Sequence, residues 1–567
     1  MHPRRTPRRA ALLSVLLLAA TAACSSDGGS APAAQAKPRS GGSLTYAAQQ
    51  EPDCWDPHTS AQDVTAFVQR PVFDSLVYQT PDGELEPWLA KSWKTSEGGR
   101  TYTFALREDV TFHDGKHLDA AAVKANFDHI TAKATQSQYA AGLLGPYAGT
   151  TVKGKYEVEV RFSRPYAPFL QAASTTYLGI ASPASLKAGA DKLCAGTDSV
   201  GSGPFEAAAY TRGQKRGYTR NAAYAWAPKG AGHSGPARLD SFTVRFITED
   251  ATRVGALTSG QVDAAAAVPA NQIGSVRRNA RLDVAGKDVP GAVDTFYLNT
   301  KSPLFSDARV RKAFQRSIDL DALVKSVFQG TGTRAWSTLS PATPHSYDSG
   351  LEKSWPYDRA LAGRLLDQAG WTGRDSEGYR TKNGKRLTVV APVYGTASVF
   401  SQAVQGDLKK AGIHLDLAAS TDATAVSAQL DEGRYDVVET SWARGDGDIL
   451  SSFFLSTESS AGGGHNFARV ADPQVDTWLK KAQGATAPDQ RAAYYAQVQK
   501  WTIDQAAVVP AYVQKASVGV NKKVHGLRLS LSAWPEFYGA WVPCPWSSQG
   551  ASPEQLAVAS NQLYSCW

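Results

Sequence analysis

The amino-acid sequence predicts an α/β fold, because two kinds of hydrophobic periodicity occur along the chain. Residues 100–106 and 156–162 alternate polar and apolar side chains, as half-buried strands do. In the second half the period lengthens, and Val310, Phe314 and Ile318 fall four apart on one helical face. The chain has 567 residues, which is enough for about three to four domains.

The first half of the chain is richer in strands than the second. Residues 239–247 add another β-rich run to the two alternating strands, and few strong helical patterns separate them. We therefore expect this half to form an α+β lobe.

Two helices of the second half have recognisable ends. The first begins after Ser306, the expected N-cap, with Asp307 at its positive end and Gly330 as its stop. The second runs from about Asp358 to Gly370.

Three strands follow these helices, at residues 386–393, 413–417 and 435–440, with a helix ending near residue 411 between the first two. Asn383 and Gly384, just before them, predict a tight β-hairpin turn. Strands alternating with helices favour a mainly parallel sheet covered on both faces. We expect an α/β lobe here.

Composition excludes several classes of protein. Apolar residues make up 42% of the chain and aromatic residues 10%, which excludes a wholly disordered polymer. Beyond the first two dozen residues, no apolar run reaches the ~20 needed to span a bilayer. Four arginines and no acid lie in residues 1–23, so the net charge of +8 falls to +4 without them. A surface so mixed in charge predicts no nucleic-acid partner.

The N-terminus has the order of a bacterial lipoprotein signal. Residues 1–9 are basic, residues 10–20 form a short apolar segment, and small residues lead to Cys24. This order resembles a lipobox, which predicts that residues 1–23 are removed and that Cys24 carries a diacylglycerol. The alternative is an ordinary signal peptide with an incidental cysteine, and paired arginines leave Sec and twin-arginine export both open.

Residues 24–42 are rich in Ser, Gly, Ala and Pro and predict a flexible tether. A lipid, a tether and a large body predict a protein held on the outer face of the cytoplasmic membrane. Export places the four remaining cysteines in an oxidising compartment, where three full pairings are available to them.

The sequence lacks the familiar catalytic and metal motifs. It has no G-x-S-x-G elbow, no complete phosphate loop and no H-E-x-x-H. His113 and His117 are four apart, but Asp114 and Gly115 between them predict a turn rather than a helix. We therefore expect no catalytic residue, no metal site and no cofactor.

Five segments, taken together, resemble the bacterial extracellular solute-binding proteins of the peptide/nickel class, which serve ABC importers. They occur in the family's order across about 500 residues, and the first, a strand and turn, matches most closely. The segments are residues 92–115, 200–205 with Asn221 and Tyr224, 257–263, 298–319 and 357–371.

The resemblance implies a two-lobed, type II periplasmic-binding-protein-like fold. The first lobe would comprise residues 43–290 and 518–542, with an extra subdomain at about 65–191, and the second lobe residues 293–515. Ligand would be enclosed between lobes that close by a hinge motion. Residues 543–567 would form an appended tail of unassigned role.

Export favours oxidation, and we expect two disulfides, of which the resemblance bears only on the first. Cys54 and Cys194 would both lie on the first lobe, and Cys544 and Cys566 bracket the tail. The alternative for Cys54 and Cys194 is that they are small buried thiols.

Two segments are candidates for the ligand site through the same resemblance. Residues 51–57, with Glu51 and Trp55, correspond to an acid-x-x-x-apolar-Asp-Pro element and would face the cleft. In peptide-binding relatives a Trp followed by an Asp supplies the carboxylate that pairs with the ammonium group of the peptide. The corresponding residues here are Trp442, Arg444, Asp446 and Asp448, in which either acid could take that role and Arg444 could instead neutralise one or bind an anionic end.

These observations predict a monomeric, lipid-anchored receptor that captures a peptide-like solute and delivers it to an ABC permease and its ATPase subunits. Other cargoes remain open, namely a nickel chelate, a siderophore or an oligosaccharide. A peptide-sensing lipoprotein is a further alternative, and a secreted hydrolase is disfavoured by the missing motifs.

Overall fold

A computed structural model describes residues 37–458 and 464–543. The predictions made for Cys24, for residues 1–23 and for the Cys544–Cys566 disulfide lie outside the described residues. The described strands are β1 (Ser43–Ala48), β2 (Val77–Gln79), β3 (Leu85–Pro87), β4 (Ala90–Ser96), β5 (Thr101–Leu106), β6 (Tyr147–Gly154), β7 (Glu157–Phe162), β8 (Phe205–Thr211), β9 (Lys215–Arg220), β10 (Ser241–Phe246), β11 (Ala264–Ala265), β12 (Leu282–Asp288), β13 (Gly291–Leu298), β14 (Thr333–Arg334), β15 (Gly373–Arg374), β16 (Arg380–Lys382), β17 (Lys385–Arg386), β18 (Thr388–Tyr394), β19 (His414–Ser420), β20 (Val437–Ala443), β21 (Val508–Val513), β22 (Lys515–Asn521), β23 (Arg528–Leu529) and β24 (Pro535–Glu536). The described α-helices are α1 (Asp63–Gln69), α2 (Ala120–Thr131), α3 (Ala140–Leu143), α4 (Phe169–Ala172), α5 (Pro183–Leu186), α6 (Ala190–Ala195), α7 (Asp250–Ser259), α8 (Ala270–Arg278), α9 (Ala308–Arg316), α10 (Leu320–Val327), α11 (Arg359–Gln368), α12 (Val399–Ala411), α13 (Ala423–Asp431), α14 (Ile449–Phe454), α15 (Pro473–Gly484) and α16 (Pro488–Asp504).

The first lobe is built on a seven-stranded sheet with the order β12-β22-β11-β1-β10-β9-β8. Strand β1 lies inside it, parallel to β10 and β11, whereas the other neighbours pair antiparallel. Tyr46 of β1 is opposite Val244 on one side and Ala264 on the other, and all three side chains are buried. Strand β1, which leads to the cleft, is therefore paired with a strand on each side.

A smaller four-stranded sheet, with the order β4-β5-β7-β6, forms the subdomain of the first lobe. Its two central strands were predicted from alternation, and the structure confirms them as β5 and β7. Tyr102, Phe104 and Val160 belong to the core of this subdomain together with Phe127 of α2. Helix α2 therefore covers one face of the sheet.

The second lobe contains a sheet with the order β14-β21-β13-β20, in which every pair is antiparallel, and a parallel pair, β18 and β19. The mainly parallel sheet expected from strand–helix alternation is therefore wrong for the four-stranded sheet. The reason is topological, because β13 brings the chain into the lobe and its neighbour β21 takes it out. Adjacent strands that enter and leave run in opposite directions.

Local sequence signals in this lobe are mostly confirmed. Helix α11 begins after Asp358, whose carboxylate accepts a hydrogen bond from the Leu361 amide at 2.8 Å. The first predicted helix differs, because Asp307 rather than Ser306 is the N-cap of α9. A break at residues 317–319 then separates α9 from α10, which has Asp319 as its own N-cap.

The chain passes between the two sheets at residues 289–290 and at Gln514. The two crossovers are joined by a hydrogen bond from the Val289 amide to the Gln514 carbonyl at 2.8 Å. Directly after the first crossover, Gly291 has φ of +100°, and a Cβ there would lie 2.3 Å from the Trp442 carbonyl oxygen. The hinge thus requires glycine both for its backbone conformation and for close packing.

Replacing Gly291 by Ala is expected to destabilise the protein by more than about 2 kcal/mol, since positive φ and a backbone clash act together. Gly384 is the matched control, because its φ of +74° is also positive but nothing lies within 4 Å of an added Cβ. Gly384→Ala should cost only about 1–2 kcal/mol. Urea unfolding followed by circular dichroism measures both, and equal losses would show that the contact with the Trp442 backbone is unimportant.

Candidate functional site

A cavity of about 720 Å³ lies between the two lobes, and both contribute to its walls. The first lobe supplies Gln49 and Gln50 at the end of β1, the start of α1 and residues 266–270. The second lobe supplies residues 441–443 at the end of β20 and the neighbourhood of Phe328. A cavity of this size between two lobes is where a small-molecule ligand is expected.

Trp442 forms an aromatic wall of this cavity. Its half-buried ring lies 5.4 Å from that of Tyr139 and 4.5 Å from that of His465, measured between centroids. Tyr139 in turn packs edge-on against Tyr177 at 4.8 Å. Rings fixed by other rings offer a rigid flat surface, which contacts an apolar side chain without selecting its shape.

Asp63, the first residue of α1, is the acid that lines the cavity. The Tyr177 hydroxyl donates to its Oδ1 at 3.2 Å. Asp63 is exposed toward the cavity, but the protein around it still desolvates the carboxyl. This desolvation raises the pKa of Asp63 to about 6, although the hydrogen bond from Tyr177 acts in the opposite direction. A cation placed beside Asp63 would recover the energy lost by desolvation of its charge.

Lys515, the first residue of β22, is the cation that lines the cavity. Its Nζ lies 3.6 Å from Asp288 Oδ1, at the crossover between the lobes. Among the described residues, the cavity lining therefore has one acid and one base on different chain segments, in addition to amides such as Gln49 and Gln514.

Arg444 and Asp448 form a buried ion pair with 3.6 Å between Nη2 and Oδ2. The Asp448 carboxylate also accepts from the Ser451 hydroxyl at 2.6 Å. Burial raises the pKa of Asp448 and Arg444 opposes that rise, whereas Tyr139 and Asp448 raise the pKa of Arg444 against its own burial. Neither side chain is among the described residues that line the 720 Å³ cavity.

Asp446 is paired with a different arginine, Arg491 of α16, at 2.6 Å. It lines a second cavity of about 610 Å³ between the subdomain and the second lobe. At the edge of that cavity the Gln79 amide donates to the Gly445 carbonyl at 3.1 Å. Both acids proposed from the sequence are thus already held by arginines in this conformation.

Glu51 and Trp55 lie together on the first lobe, away from the cavity lining described above. Glu51 accepts hydrogen bonds from the Tyr210 hydroxyl at 2.6 Å and from the Gly213 amide. Trp55 is 2% exposed and packs under the guanidinium of Arg216, 5.0 Å from the ring centroid. Beside Trp55, a disulfide joins Cys54 to Cys194.

Of these three cavity-lining residues, the sequence predicts Trp442 as a ligand contact but neither Asp63 nor Lys515. The only local sign of Asp63 is an acid at the start of a helix, which is common for dipole reasons alone. Lys515 lies on the boundary between two strands of different sheets, and only the tertiary fold shows that this boundary faces the cavity.

Two lobes joined by two adjacent crossovers, with a lined cavity between them, define a ligand-enclosing binding protein. No helix within residues 37–458 and 464–543 combines the length and the hydropathy that a membrane span needs.

A family model described as "Bacterial extracellular solute-binding proteins, family 5 Middle" matches residues 84–464. The chain therefore belongs to this family, the solute-binding proteins of ABC importers for peptides or chelates, which act outside the cytoplasm. The resemblance drawn from sequence motifs and the two-lobed α/β fold are both confirmed.

Individual relatives agree with this assignment. Protein XP55 of Streptomyces lividans is 29% identical over 437 residues, which is 76% of each chain. The glutathione-binding protein GsiB of Escherichia coli K12 is 26% identical over 481 residues, 83% of this chain and 89% of GsiB. The crystal structure of NikA from Brucella suis in complex with Fe(III)-EDTA has a TM-score of 0.77 at 26% identity, covering 88% of this chain and all of NikA.

Replacing Asp448 by Ala is expected to destabilise the protein by about 3–5 kcal/mol, because Arg444 would remain buried without its carboxylate. Asp504→Ala is the control, since Lys500 and Asp504 form an exposed pair at 2.6 Å and its loss should have no measurable effect. Chemical unfolding compares the two variants. A fully stable Asp448→Ala would mean that the pair is dispensable and that Asp448 is available for ligand.

Proposed function

We propose that this protein is the lipid-anchored receptor of an ABC importer and captures a short peptide-like solute. The observation that carries the proposal is a 720 Å³ cavity between the lobes whose walls include Asp63, Lys515 and the ring of Trp442. The protein would perform no covalent chemistry. Binding, lobe closure and delivery to the permease would be its whole mechanism.

The charged groups fit the two ends of a peptide. Asp63 would accept hydrogen bonds from the ammonium group, and Lys515 would pair with the carboxylate. Between them, backbone and amide groups along the ends of β1 and β22 can bond the peptide main chain, while Trp442 contacts a side chain. The name of the relative GsiB supports this class, because glutathione is itself a tripeptide.

Asp63, rather than Asp446 or Asp448, is therefore the proposed partner of the peptide ammonium group. Each of the first two carboxylates is within ion-pair distance of an arginine. Opening either pair to receive an ammonium group would leave a buried guanidinium unpaired, which is costly. Within the described part of the chain, Asp63 has a tyrosine hydroxyl as its side-chain partner and no cation, so it gains from a cation.

A chelate is the second candidate cargo, because NikA, the 26% identical solved structure, was crystallised with Fe(III)-EDTA. His465 beside Trp442 would place an imidazole near such a ligand. Titration with Fe(III)-EDTA in parallel with peptides separates the two candidates, since only the matching class should bind.

We predict that Asp63→Asn weakens binding of tri-alanine at least about tenfold, as expected for loss of a charge-assisted hydrogen bond. N-acetyl-tri-alanine, which lacks the ammonium group, should bind the variant and the wild type equally. Isothermal titration calorimetry measures all four affinities. If peptides bind but Asp63→Asn leaves their affinity unchanged, Asp63 is not part of the ligand site. If no peptide binds the wild type, the peptide proposal is wrong.

The pH dependence of peptide binding by the wild type and by Asp63→Asn tests whether the charge of Asp63 contributes to affinity. The pKa of Asp63 is raised to about 6, so its charge is present at pH 7 and is lost as the pH falls through 6. Wild-type affinity for tri-alanine should therefore decrease between pH 7 and pH 5, whereas that of Asp63→Asn should stay flat.

The lipid anchor has its own test. Cys24→Ser should abolish fractionation with membranes, because no diacylglycerol can be attached. Ser26→Ala, two residues later, is the matched control and should remain in the membrane fraction. Detergent extraction followed by immunoblotting reads both out, and a membrane-bound Cys24→Ser protein would show that another element anchors the chain.

A further inference from the structure

A compact group of three side chains with metal-binding chemistry lies outside the cleft, on the first lobe. Asp56 and His58 belong to the loop between β1 and α1, and His129 belongs to the last turn of α2. One ligand atom from each lies within 4.8 Å of the other two. The shorter separations are 3.2 Å from His129 Nε2 to Asp56 Oδ2 and 3.9 Å from His58 Nδ1 to Asp56 Oδ1.

These separations suit a tetrahedral ion. Zinc binds imidazole nitrogen and carboxylate oxygen at about 2.0–2.2 Å, which places neighbouring ligands about 3.3–3.6 Å apart. Imidazole with carboxylate is also the ligand set of other divalent transition ions, whereas Ca²⁺ and Mg²⁺ prefer oxygen alone. Small movements of the His58 and His129 side chains would complete the geometry.

His58 supplies the observation that points to an ion. It is 1% exposed, and its Nε2 lies 2.9 Å from the Gly179 carbonyl oxygen, so this nitrogen carries the proton of the neutral ring. Its Nδ1 then presents a lone pair, and no hydrogen-bond partner for it exists among the described residues. A buried lone pair that faces a carboxylate is unfavourable unless a cation lies between them.

The surrounding groups orient the other two ligands. The Thr59 hydroxyl donates to Asp56 Oδ2 at 3.1 Å. Thr135 Oγ1 lies 3.4 Å from His129 Nδ1 and can accept its proton when Nε2 is needed for a metal. The ring proton of His129 would then reside on Nδ1 rather than on Nε2. Metal-bound histidines are held in this manner by a second hydrogen bond.

We propose that Asp56, His58 and His129 bind one divalent transition-metal ion of the Zn²⁺ type, with water at the fourth position. The ion links the loop that follows β1 to helix α2, and so joins the central sheet of the first lobe to its subdomain. None of the three residues lines the 720 Å³ cavity, so the site is structural and separate from the cargo. This proposal differs from the expectation from sequence that no metal site exists.

The test uses the full chain in detergent, freed of metal by a chelator and titrated with Zn²⁺ by calorimetry. We expect one equivalent to bind, and His129→Gln to weaken that binding at least about 100-fold, more than loss of an outer-shell partner would. His117→Gln is the matched control, because it removes an exposed imidazole from the same subdomain and should leave the affinity unchanged.

A second measurement does not depend on any variant. Co²⁺ added to the metal-free wild type should give the intense visible bands of a tetrahedral nitrogen/oxygen site, and one equivalent of Zn²⁺ should remove them. Absence of Zn²⁺ binding, absence of these bands, or equal affinity in His129→Gln and wild type would each overturn the proposal. Near-UV circular dichroism of metal-free His129→Gln must match the wild type before its titration is compared.

Peptide titration of the metal-free and Zn²⁺-loaded protein separates this proposal from the transport function. A structural ion leaves the tri-alanine affinity of the folded protein unchanged. If Zn²⁺ changes that affinity more than about tenfold, the ion belongs to the ligand site and a separate structural role is excluded.

Discussion

The structure depends on the place where the chain crosses twice between its lobes. The Val289 amide and the Gln514 carbonyl join the two crossovers, and the Pro290 carbonyl accepts from the Arg444 amide at 3.1 Å. Both crossovers line the cavity, through Val289 and Gln514. A rotation there changes only a few backbone torsions while it moves whole sheets, which is the physical basis of hinge closure. Gly291 is packed too closely against Trp442 for any side chain.

The charged groups near this hinge are of two kinds, those that already form ion pairs and those without a partner of opposite charge. Arg444 with Asp448 and Arg491 with Asp446 form two ion pairs inside the protein, and this pairing holds the segment after β20 in place. Asp63 has no cation partner among the described residues, and desolvation by the protein around the cavity raises its pKa to about 6. A desolvated charged group that has no ion-pair partner is stabilised when a ligand of opposite charge binds beside it.

Many local features could be predicted from the sequence because short-range physics decides them. The alternation at residues 101–106, the helix start near Asp358 and the Asn383–Gly384 turn depend on a few neighbouring residues. The direction of the strands in the second lobe does not. Nothing in the periodicity of β13 or β21 shows that these strands are neighbours, since more than 200 residues separate them. The parallel sheet was therefore the wrong inference from correct elements.

Five local motifs in the sequence were specific enough to predict the family and the α/β class, and Trp442, predicted as a ligand contact, is among the residues that line the cavity. Which carboxylates are available depends on the tertiary structure. Arg491 reaches Asp446 from 45 positions away, and Asp63 faces the cavity from a helix start without a motif. Arg444 was already a visible partner in the sequence, four positions from Asp448, but the fold alone shows that the two side chains are buried together. The ionic state and accessibility of a group depend on the segments that the fold packs around it, and residue type and spacing do not carry that information.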